Sequence, residues 1–325
     1  MKILSIDDDP IFLEVIKAEL NDLGFHDVDQ VQSGVEALQR VREGLVHYDC
    51  FLLDIDMPGM SGVELCSFLR EEPAVEGLPI IMVTSRAELE NVDKAFAAGA
   101  TDYLNKPLSR RELRGRLQMA QSLMRERNAK KDAASSTSDV PALKVSDALF
   151  LDGVAAGIDY IAMQNYVLKL GSMQMFNRVA IGVHVPNIHE IFATKDAQAF
   201  RDTLLDVAEI LVESVGPGPK MISYAGFCYF NILVNRFSGF DQSAVVDAVS
   251  LKLSTLSEWY VAVGEIPPRL KLGTPIGRSL VSFHTAEEIL SLAIDAARQS
   301  GTAIEYRAPV SRDGRSKIGA TTRIQ

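Results

Sequence analysis

The stretch Phe51-Leu52-Leu53-Asp54-Ile55-Asp56-Met57-Pro58-Gly59 decides the fold of the N-terminal part of the chain. An apolar run ends in a carboxylate and is then broken by proline and glycine. A buried parallel strand delivers an acid to the rim of a sheet in this way, at the point where a loop begins. Other polar residues stand at comparable places. Asp7-Asp8-Asp9 closes the first apolar run, Thr84 closes another, and Lys106 follows a later one.

Five strand-then-helix units surround that stretch. The pattern predicts β1 over 2–6, α1 from Pro10 to Gly24, β2 over 27–31, α2 over 35–41 and β3 over 50–53. It continues with α3 over 63–69, β4 over 78–83, α4 over 88–98, β5 over 102–104 and α5 from Ser109 onward. Such an order implies a doubly wound α/β domain, residues 1–125, with a five-stranded parallel sheet covered on both faces. Ligand sites in these sheets lie beyond the carboxyl ends of the strands. Asp7, Asp8, Asp54, Thr84 and Lys106 all fall at such ends, so one crevice should collect them.

The chemistry follows from that convergence. Carboxylates crowded at one sheet edge repel one another unless a cation lies among them, and an all-oxygen set suits Mg²⁺. Asp54 is placed to attack phosphorus, with Thr84 and Lys106 placed to hold the oxygens of the arriving group. Any one of these residues alone would read as a solvated strand end.

This region resembles the receiver domain of two-component response regulators, which has a flavodoxin-like fold. The resemblance rests on Ile-Leu-Ser-Ile-Asp7-Asp8-Asp9-Pro, Leu-Leu-Asp54-Ile-Asp56-Met-Pro-Gly-Met-Ser-Gly, Met-Val-Thr84-Ser and Gly-Ala-Thr-Asp-Tyr103-Leu-Asn-Lys106-Pro107. It implies Asp54 as phosphoacceptor, and Mg²⁺ held by Asp7, Asp8, Asp54 and the main-chain carbonyl of Asp56. It also implies Thr84 and Lys106 as the phosphate-sensing pair and Tyr103 as the switch aromatic. The implied partners are a histidine kinase or phosphotransfer protein, and a second copy meeting the α4–β5–α5 face in a homodimer.

Composition bounds the remaining possibilities. The chain has 325 residues, a length that favours two domains. Its formal net charge of -10 argues against nonspecific attraction to nucleic acid or anionic membranes. There is no basic recognition helix for DNA. No apolar run approaches the ~20 residues needed to span a bilayer. Cys50, Cys66 and Cys228 have no C-x-x-C spacing and read as reduced core residues of a cytoplasmic protein. The N-terminus runs directly into a strand, without the pattern of a signal peptide.

Leu113, Leu117, Ala120 and Met124 recur at alternating steps of four and three along α5. They read either as packing on the sheet or as a short helix-to-helix dimer seam. Residues 126–142 are charged and then Ala/Ser/Thr-rich, and read as a flexible linker. Residues 144–170 read as helical. A second domain follows over 143–310, with a mildly basic tail over 311–325 expected to be disordered. Its order is strand, two helices, hairpin, helix, strand, helix, strand, which implies an α+β domain with a mostly antiparallel sheet.

That order is similar to the GGDEF domain of diguanylate cyclases, which join two GTP into cyclic di-GMP. Ser223-Tyr224-Ala225-Gly226-Phe227-Cys228-Tyr229-Phe230 stands where that family has its Gly-Gly-Asp-Glu-Phe turn, and Asp147-Ala148-Leu149 at its opening motif. The departures matter most. Phe227 and Cys228 replace the hairpin acids, His184 the first-strand metal acid, and Ala225 the first glycine. Phe192 and Arg201 stand at the guanine-contacting positions, and the inhibitory Arg-x-x-Asp is missing from residues 216–219. Joining nucleotides needs metal-holding carboxylates. The expectation is therefore a degenerate domain, not an enzyme, that passes the signal to an unknown output protein by contact. The competing expectation is retained binding of GTP or cyclic di-GMP, or cyclase activity. His184, His189 and Glu190 match no usual metal-ligand spacing, and Phe227 at the hairpin tip is a candidate contact residue.

Overall fold

The computed structural model describes residues 1–85, 89–135, 144–151, 153–170, 172–236, 240–277 and 285–304. In the N-terminal domain, β1 (Ile3–Ile6), β2 (Val28–Val31), β3 (Cys50–Asp54), β4 (Ile80–Thr84) and β5 (Asp102–Asn105) form a parallel sheet in the order β2-β1-β3-β4-β5. Helices α1 (Pro10–Asp22), α2 (Gly34–Glu43), α3 (Gly62–Arg70), α4 (Leu89–Ala97) and α5 (Arg110–Ser135) follow the strands. The strands are nearly continuous Ile, Leu, Val and Phe because both faces are covered. One apolar cluster joins Leu4, Phe51 and Leu53 to α2 and α3, and another joins Ile3, Leu52 and Ile81 to α1 and α5.

Two expectations about α5 need correction. The helix runs to Ser135, so the backbone of residues 126–135, expected as linker, is helical. Ala, Lys, Glu and Arg make up most of that stretch and are good helix formers, which the charge reading overlooked. Leu113, Leu117, Ala120 and Met124 are all buried within the chain, and the first three pack on the sheet. They are no seam for a second copy. The remainder of the expected linker and the tail over 311–325 lie outside the described residues.

The second domain begins irregularly. Residues 144–151 and 153–159 are not helical, contrary to expectation. They cross the next sheet by bridges from Leu149 to Tyr224 and from Gly157 to Ile222. Among the described residues here, only α6 (Tyr160–Lys169), capped by Asp159, and the short α7 (Ser172–Met175) are helices. Then come β6 (Arg178–His184), α8 (Ile188–Thr194), α9 (Ala197–Ser214), β7 (Lys220–Gly226) and β8 (Tyr229–Asn235). The chain continues through α10 (Gln242–Ala262), β9 (Leu270–Leu272), β10 (Ile276–Gly277), α11 (Ala286–Ser300) and β11 (Thr302–Ile304). The sheet has the order β11-β9-β6-β8-β7, with β10 also on β6, and its named pairings are antiparallel. Alternation along β6 and β8 sends Val183, Phe230 and Ile232 toward α9 and α10, and Ala180 and Leu233 toward α6 and α11.

The two domains share a core. Helix α6 lies against α4, β5 and α5, and a continuous apolar cluster runs from Val92, Phe96 and Tyr103 into Ala162, Tyr166 and Leu170. The Tyr166 ring meets Phe96 edge-on at 5.3 Å. Its hydroxyl donates to Asp93 Oδ1 at 2.5 Å, and Arg178 Nη2 donates to Asp93 Oδ2 at 2.5 Å. Asn165 Nδ2 donates to the Thr101 carbonyl at 2.9 Å. Lys169 pairs with Glu112, and its ammonium stands 4.9 Å from the Tyr103 ring. The α4–β5–α5 face expected to receive a second copy is therefore covered by the chain's own α6. A homodimer through that face is incompatible with this arrangement.

Candidate functional site

The carboxyl ends of β1, β3, β4 and β5 meet at one rim, as the parallel order requires. Asp7 and Asp54 are buried there and Asp8 is exposed, and their carboxylates lie within 4.8 Å of one another. Asp9, the third acid of the triplet, instead caps α1 by accepting from the Ile11 amide at 2.8 Å. Asp54 Oδ2 accepts from the Asp56 amide at 2.9 Å, which fixes the carboxylate against the following loop. Thr84 ends β4 fully buried.

Lys106 crosses this cluster. Its Nζ lies 2.6 Å from Asp7 Oδ2 and 2.7 Å from Asp54 Oδ1. The Lys106 amide donates to the Thr84 carbonyl at 2.7 Å, and the Lys106–Pro107 peptide is cis. Burial pushes the Asp54 carboxyl above the ordinary carboxylate range and the Asp7 charge adds to this, while the Lys106 ammonium pulls it back. For Lys106 itself, burial favours the neutral form, but its bonds to Asp54 and Asp7 outweigh that and leave it raised.

Two further residues build the site without having been marked in the sequence. The Phe12 ring centroid lies 4.0 Å from Lys106 Nζ, so the cation is held between two acids and an aromatic face. Gly62 starts α3 so close to β3 that a Cβ there would stand 2.0 Å from the Asp54 carbonyl oxygen. The Phe12 contact has no local signal, because it joins residues that only the fold brings together. Gly62 was readable as the last glycine of Met-Pro-Gly-Met-Ser-Gly, although not for its contact.

The family model for the response regulator receiver domain matches residues 3–118. Chemotaxis protein CheY-3 of Vibrio cholerae is 33% identical over 117 residues, which are 36% of this chain and 88% of that protein. The chain belongs to the response regulator receiver family. The phosphate regulon transcriptional regulatory protein PhoB of Rhizobium meliloti is 40% identical over 116 residues, which are 36% of this chain and 50% of PhoB. A solved receiver domain of a sensor histidine kinase from Pseudomonas aeruginosa is 30% identical. The match spans 38% of this chain and 97% of that one, with a TM-score of 0.34, and that structure has magnesium in its active-site cleft. The domain over residues 3–118 is thus a receiver, a class phosphorylated on aspartate in two-component signalling by histidine kinases or phosphotransfer proteins. Its acidic cluster is an all-oxygen donor set of the kind that suits a hard divalent cation.

Tyr103 of the receiver is buried between the Phe96 ring, at 6.2 Å edge-on, and the Lys169 ammonium of the second domain. The sequence placed it as a switch residue but gave no sign of that second contact.

The hairpin positions and His184 come together at the β7–β8 turn, where His184 pairs with Tyr229, whereas Phe192 and Arg201 lie apart on α8 and α9. Phe227 and Cys228 form a two-residue turn, with φ of 48° and 76°, after Gly226 at 80°. Turns of this kind favour Asn and Gly, so a Phe-Cys pair is strained there. Residues 145–148 lie across the turn: the Phe227 amide donates to the Val145 carbonyl at 2.9 Å, and a Cβ on Gly226 would meet the Ser146 carbonyl at 2.3 Å. Ala225 is half-buried on β7 just before it. Phe227 is 65% exposed, while burial pushes the Cys228 thiol up to about 11. His184 stacks on Tyr229 at 4.8 Å, and Arg298 donates to the Tyr229 hydroxyl at 2.9 Å. Burial and then the charges of Lys271 and Arg298 hold His184 below its ordinary value. Phe192 packs edge-on against Phe200, and Arg201 lies 3.7 Å from Glu76 of the receiver.

Proposed function

We propose that Asp54 is the phosphoacceptor of this chain and that its state is passed to the second domain by contact. The observation that carries this reading is the Lys106 ammonium bonded at once to Asp54 and Asp7, beside Asp8, at the ends of four parallel strands. The Asp54 carboxylate forms the new P–O bond as the P–N bond of a donor phosphohistidine breaks, and the released imidazole keeps the nitrogen pair and takes a proton. Asp7, Asp8, Asp54 and the Asp56 carbonyl would hold Mg²⁺, which supplies charge neutralisation at the phosphoryl oxygens when bound. Lys106 and the Thr84 hydroxyl then receive the remaining oxygens.

The second domain is read as GGDEF-like without cyclase activity. Supporting this, the hairpin offers Phe227 and Cys228 in place of carboxylates, and the Ser146 carbonyl lies against Gly226, where a phosphate would need backbone access. His184, engaged with Tyr229, adds no acid. The output is then a protein contact, with the exposed Phe227 among its candidate residues.

The test is addition of acetyl phosphate, or of beryllofluoride with Mg²⁺, to wild type and Asp54→Ala. An Asp54-dependent spectral change is expected, and its absence overturns the reading of Asp54. Calorimetry with GTP and cyclic di-GMP, with a product assay, tests the second domain; tight binding or turnover of either would overturn the non-enzymatic reading.

A further inference from the structure

We propose that the outer face of the α9–α10 pair binds a basic amphipathic helix of a partner protein. This names the partner's chemistry for the contact output read in the second domain, and rests on that reading.

Helix α9 buries Phe200, Leu204, Val207 and Leu211, and α10 buries Val245, Val249, Leu253 and Tyr260, in one apolar layer over the sheet. Their other faces are left to solvent. Between those faces runs a groove of about 560 Å³. Asp206, Glu209 and Glu213 line one wall, and Leu251, Leu256 and Trp259 the other. Leu251 is 71% exposed and Trp259 55%. Single apolar residues on a surface are ordinary. Two large ones about two helical turns apart, facing a row of acids, make an interaction surface, and tryptophan is the side chain most often found to anchor one.

The walls are tied to each other at both ends. The buried Tyr260 donates its hydroxyl to Asp206 at 2.7 Å, and its ring meets the Trp259 ring edge-on at 5.2 Å. About two turns away, Lys252 pairs with Glu213. The groove is therefore preformed, and an occupant has little to order on arrival.

Charge selects the occupant. Midway between the ties, Glu209 is exposed and makes no ion pair among the described residues. Lys252 is the one cation lining the groove among the described residues, and Glu213 holds it. Apolar area beside uncompensated negative charge complements a helix with an apolar row flanked by Lys or Arg. Both walls are helices with their backbone groups already bonded, so they offer ridges for a third helix and no edge for a strand. A second copy of the chain fits poorly, because a two-fold contact would set the acidic row against itself.

The probe is a peptide of about 18 leucine and lysine residues patterned as an amphipathic helix, titrated into the full-length protein. Trp259 is the chain's only tryptophan, so a blue shift of its emission reports binding in the groove, and calorimetry gives the affinity. Saturable binding is expected, weakened by added salt. Glu209→Lys and Leu251→Ser, both at exposed positions, should each weaken it at least about fivefold. Glu14→Lys, exposed on α1, should leave it unchanged. Absence of binding, or binding that does not move the Trp259 emission, overturns the groove. So does an equal loss in Glu14→Lys, which would reduce the attraction to net charge, or equal affinity for the same peptide with glutamate in place of lysine. Self-association abolished by Leu251→Ser, measured by sedimentation, would make the occupant a second copy. Tighter binding of a peptide of residues 305–325 would make it the chain's own segment. Either result overturns the partner. Failure of the leucine–lysine peptide alone leaves the contact output to Phe227, whereas GTP turnover in the product assay overturns that output and the groove's role with it.

Discussion

Arg178 and Asp93 lie in different domains, 85 residues apart in sequence, and their charged groups meet at 2.5 Å. The pair also includes the Tyr166 hydroxyl on the other carboxylate oxygen. Arg178→Ala should destabilise the whole chain by about 3 kcal/mol, the cost typical of breaking a buried pair at one end. Urea unfolding measures it. A double-mutant cycle with Asp93→Asn should recover a large coupling, whereas additive effects would mean that the pair contributes little.

Lys106 neutralises two acids of the proposed metal site. Lys106→Ala removes that competitor and unmasks the repulsion of Asp7 for Asp54. The variant should bind Mg²⁺ at least about fivefold more tightly than wild type, by calorimetry at fixed ionic strength. It should also respond less to beryllofluoride, having lost the group that reaches the phosphoryl oxygens.

Asp102 gives a pH dependence whose sign is fixed. Burial, opposed by Arg116 at 2.9 Å and the Tyr103 amide, raises its carboxyl to about 6. A carboxyl raised in the folded chain stabilises it fully below the ordinary value near 4. That contribution is lost as pH rises through about 6. Asp102→Asn cannot ionise. Its stability relative to wild type should therefore improve between pH 4 and 7, by on the order of 2 kcal/mol. A pH-independent difference in melting would contradict the assignment.

Gly62 tolerates no side chain. A methyl group there would stand 2.0 Å from the Asp54 carbonyl, which is backbone and cannot swing aside. Gly62→Ala should cost about 2 kcal/mol or more in unfolding experiments. It should also slow phosphorylation by displacing the loop that aims Asp54. Gly59→Ala provides a contrast: unlike Gly62 it has a positive φ, of 79°, but open space around it, so strain acts there without a clash.

The receiver was legible because its signals are local. Four of the five strands, β1, β3, β4 and β5, stop at or just before Asp7, Asp54, Thr84 and Lys106, and parallel order brings those ends to one rim. Register and crowding were not legible. Phe12 under Lys106 and Gly62 against Asp54 depend on distances that no spacing encodes. In the second domain the β7–β8 hairpin and the two helices before it, α8 and α9, were readable from Gly226 and from the break near residues 193–196. Residues 144–151 and 153–159 were not. Their apolar residues fall near helical spacing, yet pairing with the sheet edge and packing under it won over local propensity. The covering of α4–β5–α5 was hidden for a similar reason. Tyr166, Arg178 and Asp93 each look ordinary in sequence, and only their meeting gives them weight.

An α6 tethered to the face it covers has a consequence for how the protein scales with its own abundance. A face that must find a second copy responds to phosphorylation only above a threshold set by protein concentration. A face already matched by a segment of the same chain meets a constant effective concentration, on the order of millimolar for short tethers. Release and re-formation of such a contact are first-order and do not depend on how many copies are present. If Asp54 is phosphorylated and read out as proposed, each molecule responds to its own Asp54 independently of its neighbours, whether copies are few or many.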